Sequence, residues 1–457
     1  MFFEFPLGLP SFNIDPLAFL STLHNGKESS LFKLLKYLIV FFVLSFVLII
    51  GVFLFTLESE PLVVTSSSKQ VDQAESVKAL MQQLRGSINN RKDKQVISIS
   101  QEQLNSLVGF AQRANRKFSG QVNITPKSTR VAVTYQLPSN PIGDYLNIDM
   151  SLLPGPGVFV EHVKIGPISL PGDFALSTLV TLANWYTSSD IATQFIQQIE
   201  QVSMGEQQIL LSVFPLEAFL KELNEAKKGV GGVTDEELRI ATAYYLQHLS
   251  SLDVSDRITS QSLVQYTAPL FTWTKNRSTS AESAAKENKA AIMALAIFVG
   301  HHRFANLVGD VQPEPGRVAL PNAKAILNSR VDLNQHFIFS AAIKIFSEQG
   351  ISVAIGEFKE LMDRSYGGSG YSFVDLAADF AGVKFAEVAT NPLTAIKLQH
   401  HLAGNVEEKA LMPDVSGLPE GLSKAEFEQR FTKVDSPEYT QMVDDINQRI
   451  ADLPGYQ

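Results

Sequence analysis

The stretch Tyr37–Leu57, YLIVFFVLSFVLIIGVFLFTL, restricts this chain more than any other. A run of about 21 uncharged residues, at ~1.5 Å of helix each, is what an α-helix needs to cross ~30 Å of hydrocarbon. Only Tyr37, Ser45, Gly51 and Thr56 interrupt the large apolar side chains. No face is left to meet water, whereas a buried core helix of this length normally keeps a polar stripe. The stretch is expected to be a transmembrane anchor. A cleavable signal peptide has a shorter apolar core nearer the start and a small-residue cleavage site after it. Here the core begins late and ends in Leu57-Glu58-Ser59-Glu60-Pro61, which reads as an uncleaved signal anchor.

Orientation follows from the flanking cations. Lys27, Lys33 and Lys36 precede the span, while Glu58 and Glu60 follow it and the next base is Lys69. The positive-inside rule then puts the N-terminus in the cytoplasm and the bulk of the chain outside. Residues 1–36 read as a cytoplasmic tail, because prolines at 6, 10 and 16 oppose one long helix. The competing reading lays Phe2, Phe3, Phe5, Phe12 and Phe19 in the headgroup region.

The chain has no cysteine, which removes disulfides, thiolate catalysis and cysteine-held metals together. A large exported region without disulfides is ordinary in a bacterial envelope protein, so the expected compartment is the inner (cytoplasmic) membrane with a periplasmic bulk. The net charge of −9 and the lack of a basic block argue against a nucleic-acid partner.

Residues 58–94 read as a tether followed by an amphipathic helix, with Val71, Ala74, Val77, Leu80, Met81 and Leu84 at helical spacing. From Gln95 the period changes to two. Val96–Ile99 reads as a strand and Ser100-x-x-Gln103 as a capping box opening a helix over 101–114. Alternating segments at 119–125, 129–137, 145–153 and 157–165 follow, then helices at 173–186 and 189–203, a strand at 208–214 and a helix from Leu216. Consecutive strands with segregated helices predict an α+β domain with an antiparallel sheet over 95–228. Through ISISQEQLN and HVKIGPISLP this part resembles the YpmS-like proteins, which implies a single-span bacterial protein with an external β-rich domain.

Residues 229–457 are expected to form a mainly α-helical domain, with helices near 235–250, 257–274, 281–300, 333–347, 351–364, 373–388, 422–432 and 437–451. Ala281–Val299 carries Glu282, Lys286, Glu287 and Lys289 in its first half, and its apolar part is too short to cross a bilayer. It is expected to be the central core helix.

The densest cluster of functional side chains runs from Asp332 to Gly382. It holds Gln335-His336-Phe337, then Lys359-Glu360-x-x-Asp363, then Gly367-Gly368-Ser369-Gly370-Tyr371-Ser372 and Asp375-x-x-x-Asp379-x-x-Gly382. This order resembles the VanZ-like and YfiM-like families of small bacterial envelope proteins. The matching positions are His336, Phe337, Lys359, Glu360, Asp363, Gly368, Ser369, Gly370, Ser372, Asp375, Asp379 and Gly382. VanZ-like helices are membrane-embedded, whereas Lys344, Glu348, Glu357 and Arg364 give this stretch a soluble character. The resemblance implies a helical unit with a polar centre and brings no settled reaction.

Two readings of the cluster stand open. In one it is a buried polar network that fixes helix register. Ser372-x-x-Asp375 is then a capping box, and Asp332 hydrogen-bonds His336 one turn on. In the other it is a catalytic or metal site, with His336 as base or ligand and Glu360, Asp363 and Asp379 as acids or oxygen ligands for a divalent metal. No other cofactor is expected. Asp379 is the hardest to explain structurally, being an ionisable group amid Leu376, Ala377, Ala378, Phe380 and Ala381. The leading functional reading is an interaction or scaffold factor of the cell envelope, with an envelope protein as partner. The alternatives are an envelope hydrolase using the His/carboxylate cluster and a lipid-binding module in the sheet domain.

Overall fold

The computed structural model describes residues 30–67, 71, 74–230, 236–308, 311, 320–346, 355, 359, 368–404 and 406–456. The chain divides into two units, one up to Leu57 and the other Glu58–Gln457. The first is helix α1 (Ser30–Phe55). Its segment Lys36–Phe55 has a mean hydropathy of 3.2 with none of it buried, and it is the one helix among the described residues long and apolar enough to cross a membrane.

The second unit combines antiparallel sheets with helices, an α+β architecture. Helix α2 (Ala74–Asn89) leads into β2 (Gln95–Ser100) and α3 (Gln101–Ala114). The predicted capping box is present: Ser100 Oγ accepts from Gln103 N while the Gln103 side chain accepts from Ser100 N. One sheet runs in the order β3 (Phe118–Ile124), β4 (Thr129–Gln136), β5 (Tyr145–Leu153), β7 (Phe159–Ile165), β8 (Ile168–Pro171), with β1, the two residues ending at Glu58, beside β5. Val122 and Ile124 point inward and Gln121 and Asn123 outward, the period-two pattern that sets register. The other sheet is ordered β2, β10 (Gln208–Val213), β9 (Ile199–Gly205), β6 (Gly155–Pro156).

Between the sheets in sequence lie α4 (Gly172–Thr187) and α5 (Ile191–Gln197). The helix expected over 189–203 therefore stops at Gln197. Residues from Ile199 instead pair with β10 across a two-residue hairpin turn, Glu206-Gln207, and with the sequence-distant β6, cross-strand bonds that override the local helical periodicity.

After α6 (Glu217–Val230) the chain is helical: α7 (Glu236–Ser250), α8 (Val264–Arg277), α9 (Ala281–Leu295), α10 (Ala305–Val308), α11 (Val331–Phe346), α12 (Phe373–Thr390), α13 (Ala395–Leu402), α14 (Lys424–Phe431) and α15 (Pro437–Ala451). Every residue from Ala290 to Val299 is buried, so α9 and the π-helical turn after it form the centre of the core rather than a second span. Val71, Ala74 and Val77 belong to this same core, whereas Leu80 packs with Ile97 and Val213 of the sheet. Helix α2 thus contributes one face to each layer. Most of the helix expected over 351–364 lies outside the described residues.

Candidate functional site

Helices α11 and α12 make the site. Their approach is set by glycine: a Cβ on Gly382 would lie 2.0 Å from the carbonyl oxygen of Phe337. Only a residue without a side chain lets the two backbones meet there. The start of α12 is fixed by a second glycine. Gly370 has φ +86°, and a Cβ there would collide with the backbone of Gly421. The neighbouring Tyr371 exchanges backbone hydrogen bonds with Leu422 at 2.7 and 3.0 Å. Ser372 then caps α12, its Oγ accepting from Asp375 N at 3.0 Å.

This frame places His336 and Ser340, one turn apart on α11, against Asp375 and Asp379, one turn apart on α12. His336 Nδ1 lies 3.1 Å from Asp379 Oδ2, and Ser340 Oγ donates to Asp379 Oδ1 at 2.6 Å. His336 Nε2 lies 3.5 Å from Asp375 Oδ2. The other oxygen of Asp375 accepts from Arg330 at 3.2 Å. Arg330 also donates to Asp332 at 2.6 Å and to Glu420 at 2.7 Å.

Two expectations are corrected here. Asp332 pairs with Arg330 rather than with His336, because its position at the start of α11 faces the guanidinium. Asp375 receives the Ser372 cap through its backbone N–H, but its carboxylate turns to Arg330 and His336 instead of closing a reciprocal box. Asp379 is 3% exposed and, as a charge at that depth requires, is partnered on both oxygens.

The electrostatics follow from this crowding. Burial by itself would lower the His336 pKa; the Asp379 carboxylate, with help from Asp375, outweighs it and holds the imidazole above its ordinary value despite Lys359 nearby. Burial raises Asp375, and the charges of His336 and Arg330 offset it only in part. The hydrogen bond to Asp332 leads in pushing Arg330 up, and Asp332 is correspondingly held below the usual carboxylate range. The result is an imidazolium favoured between two carboxylates.

A cleft of about 380 Å³ opens on this group, lined by Gln335, His336, Phe339, Lys359, Ser369 and Asp379 among others. Chemically, the arrangement can hold a proton on His336 and exchange it with a molecule in the cleft. Of the four candidate residues the structure brings together His336 and Asp379; Glu360 and Asp363 lie outside the described residues. Among the described residues no group of three or more His, Asp or Glu side chains is arranged to hold a metal ion. Sequence reasoning missed Arg330, Ser340 and Glu420. Ser340 was legible as the residue one turn after His336; Arg330 and Glu420 come from loops that carry no periodic signal.

No protein-family model, no curated protein and no solved structure matches this chain. The site is therefore read from its own geometry.

Proposed function

We propose that this protein is a single-pass factor of the bacterial cell envelope, anchored in the inner membrane by residues 37–57, N-terminus in the cytoplasm. Residues 58–457 then act in the periplasm by binding other envelope components. The observation that carries this reading is an apolar 20-residue helical segment, Lys36–Phe55, joined in sequence to a folded unit in which the buried His336 is paired with Asp375 and Asp379. Groups paired in this way suit a frame that presents surfaces, and the resemblance to envelope families points to the same compartment. Because the chain has no cysteine, a single introduced one tests the placement. Leu393→Cys, at a site 91% exposed, should react with a membrane-impermeant maleimide on intact cells. Reaction only after lysis would overturn the orientation.

The cleft over His336 favours a second reading, a periplasmic hydrolase. Asp379 would orient the imidazole through Nδ1, leaving Nε2, 3.5 Å from Asp375 Oδ2, to act as base once the imidazolium has given up its proton. Alanine at His336 and at Asp379 separates the two. Variants that no longer fold support the structural network, whereas folded variants that lose the cellular phenotype support the hydrolase.

A further inference from the structure

Helix α4 has an apolar outer face with nothing packed on it. Phe174, Leu179, Leu182, Trp185 and Tyr186 are between 57% and 79% exposed, and Phe195 of α5 beside them is 55% exposed. The helix is attached to the sheet chiefly at its start, where a Cβ on Gly172 would lie 1.8 Å from the carbonyl oxygen of Val160. No charged side chain occurs from Phe174 to Ser189. A patch of this kind on a soluble surface marks an interaction site.

The polar groups of α4 indicate what covers it. All four serine and threonine hydroxyls are turned back onto the helix's own carbonyls. Ser177 and Thr178 donate to Phe174 O at 3.0 and 2.8 Å, Thr181 to Ser177 O at 2.7 Å, and Thr187 to Ala183 O at 2.8 Å. Asn184 is consumed as the cap of the next helix, accepting from Ala192 N at 2.9 Å and donating to Thr193 Oγ1 at 2.7 Å. Hydroxyls satisfied within their own helix need nothing from a partner, the condition a hydrocarbon environment imposes. A protein partner would be expected to meet donors and acceptors at such a face. Trp185 and Tyr186, at the C-terminal end, are the residue types that settle at the membrane–water boundary with the ring in the apolar layer and the polar tip in water.

We infer that the α4 face is a bilayer-contact surface, seated at the boundary of headgroups and acyl chains of a zwitterionic phospholipid leaflet. The flanking Asp173 and Asp190, with no basic residue between them, disfavour an anionic lipid surface. A bilayer is at hand in the chain's own terms. Only Thr56 and Leu57 separate α1 from Glu58, whose carboxylate already accepts from Asn147 of β5. The inference rests on the reading of α1 as a span, and its test keeps the two apart.

The full chain is reconstituted into phosphatidylcholine vesicles with one spin-labelled cysteine at a time: Ser45→Cys in α1, Leu182→Cys on α4, and Leu393→Cys as an aqueous reference. Collision with oxygen, which partitions into lipid, is compared with collision with a water-soluble nickel complex. The label at 182 should behave like that at 45, with oxygen dominant, and opposite to that at 393. Nickel dominant at 182 with oxygen dominant at 45 overturns the α4 surface and leaves the anchor standing. A label at 182 shielded from both reagents places a protein, such as a second copy, on α4 and also overturns the inference. Nickel dominant at 45 removes both readings.

Discussion

Replacing Gly382 by alanine tests whether close approach of α11 and α12 creates the site. The added methyl would lie 2.0 Å from Phe337 O, 2.8 Å from its carbonyl carbon and 3.0 Å from its Cα, all backbone atoms. Ordinary contact is about 3.5 Å, so the helices must part by roughly 1.5 Å. Overpacking of this kind costs about 1–3 kcal/mol. The same movement stretches the 3.1 Å His336–Asp379 contact and the 2.6 Å Ser340–Asp379 bond past hydrogen-bond range. Each is charge-assisted and worth about 1.5–3 kcal/mol. Because one displacement causes all the losses they do not add fully, and a total of about 3–5 kcal/mol is expected. Denaturant unfolding of the full chain in detergent, followed by near-UV circular dichroism, reads the loss. Gly86→Ala is the control, since nothing lies within 4 Å of its Cβ in α2, and it should gain about 0.5–1 kcal/mol. A Gly382→Ala protein within about 1 kcal/mol of the parent would refute the reasoning.

The His336 pKa is raised in the fold, so its stabilisation is complete below the unfolded value of about 6.5 and disappears as pH climbs through the folded value. Asp375, also raised, adds a loss of the same sign at lower pH. Thermal unfolding should therefore become easier from about pH 6 to pH 9, and His336→Gln should flatten that slope; a midpoint that rises across the window contradicts the assignment. Asp379→Asn keeps the shape but removes the charge that offsets burial, so the His336 pKa should drop below its ordinary value in a histidine-labelled NMR titration. Asp379→Ala should cost about 3–5 kcal/mol in denaturant, as removal of one partner from a buried ionic group does. Asn288, fully buried, donates to the carbonyls of Ala389 and Ala395 and accepts from Gln399. Asn288→Leu removes these bonds while Gln399 keeps Ser278 Oγ at 2.9 Å, and a loss of about 1–3 kcal/mol in the same unfolding assay is expected.

What could be read from the sequence depended on how local its cause was. The α1 run, the Ser100–Gln103 box and the strands at 129–136 and 145–153 are local patterns, and they stand where periodicity placed them. The strand Ile199–Gly205 was misread because its identity comes from cross-strand pairing, with β10 across a tight hairpin and with the sequence-distant β6, and not from its own periodicity. Helix α4 was found as a helix, yet its exposed face was not. A helix apolar all round normally signals burial, and only the hydroxyl bonds and the exposure of Trp185 show that this one is satisfied without it.

The site divides in the same way. His336 with Ser340 and Asp375 with Asp379 are each an i, i+4 pair, so each half of the network could be read from one helix. That the halves face each other depends on Gly382, which as a bare letter signals only permissiveness. Its position three residues after Asp379 puts the backbone contact one turn from the carboxylate, so the closest approach of the helices and the buried charge share one stretch of interface. A charge there requires partners within reach, and the glycine brings them within reach. Asp379 and Gly382 therefore act as one device: the contact without the carboxylate would leave His336 Nδ1 without its 3.1 Å partner, and the carboxylate without the contact would stand alone in the core.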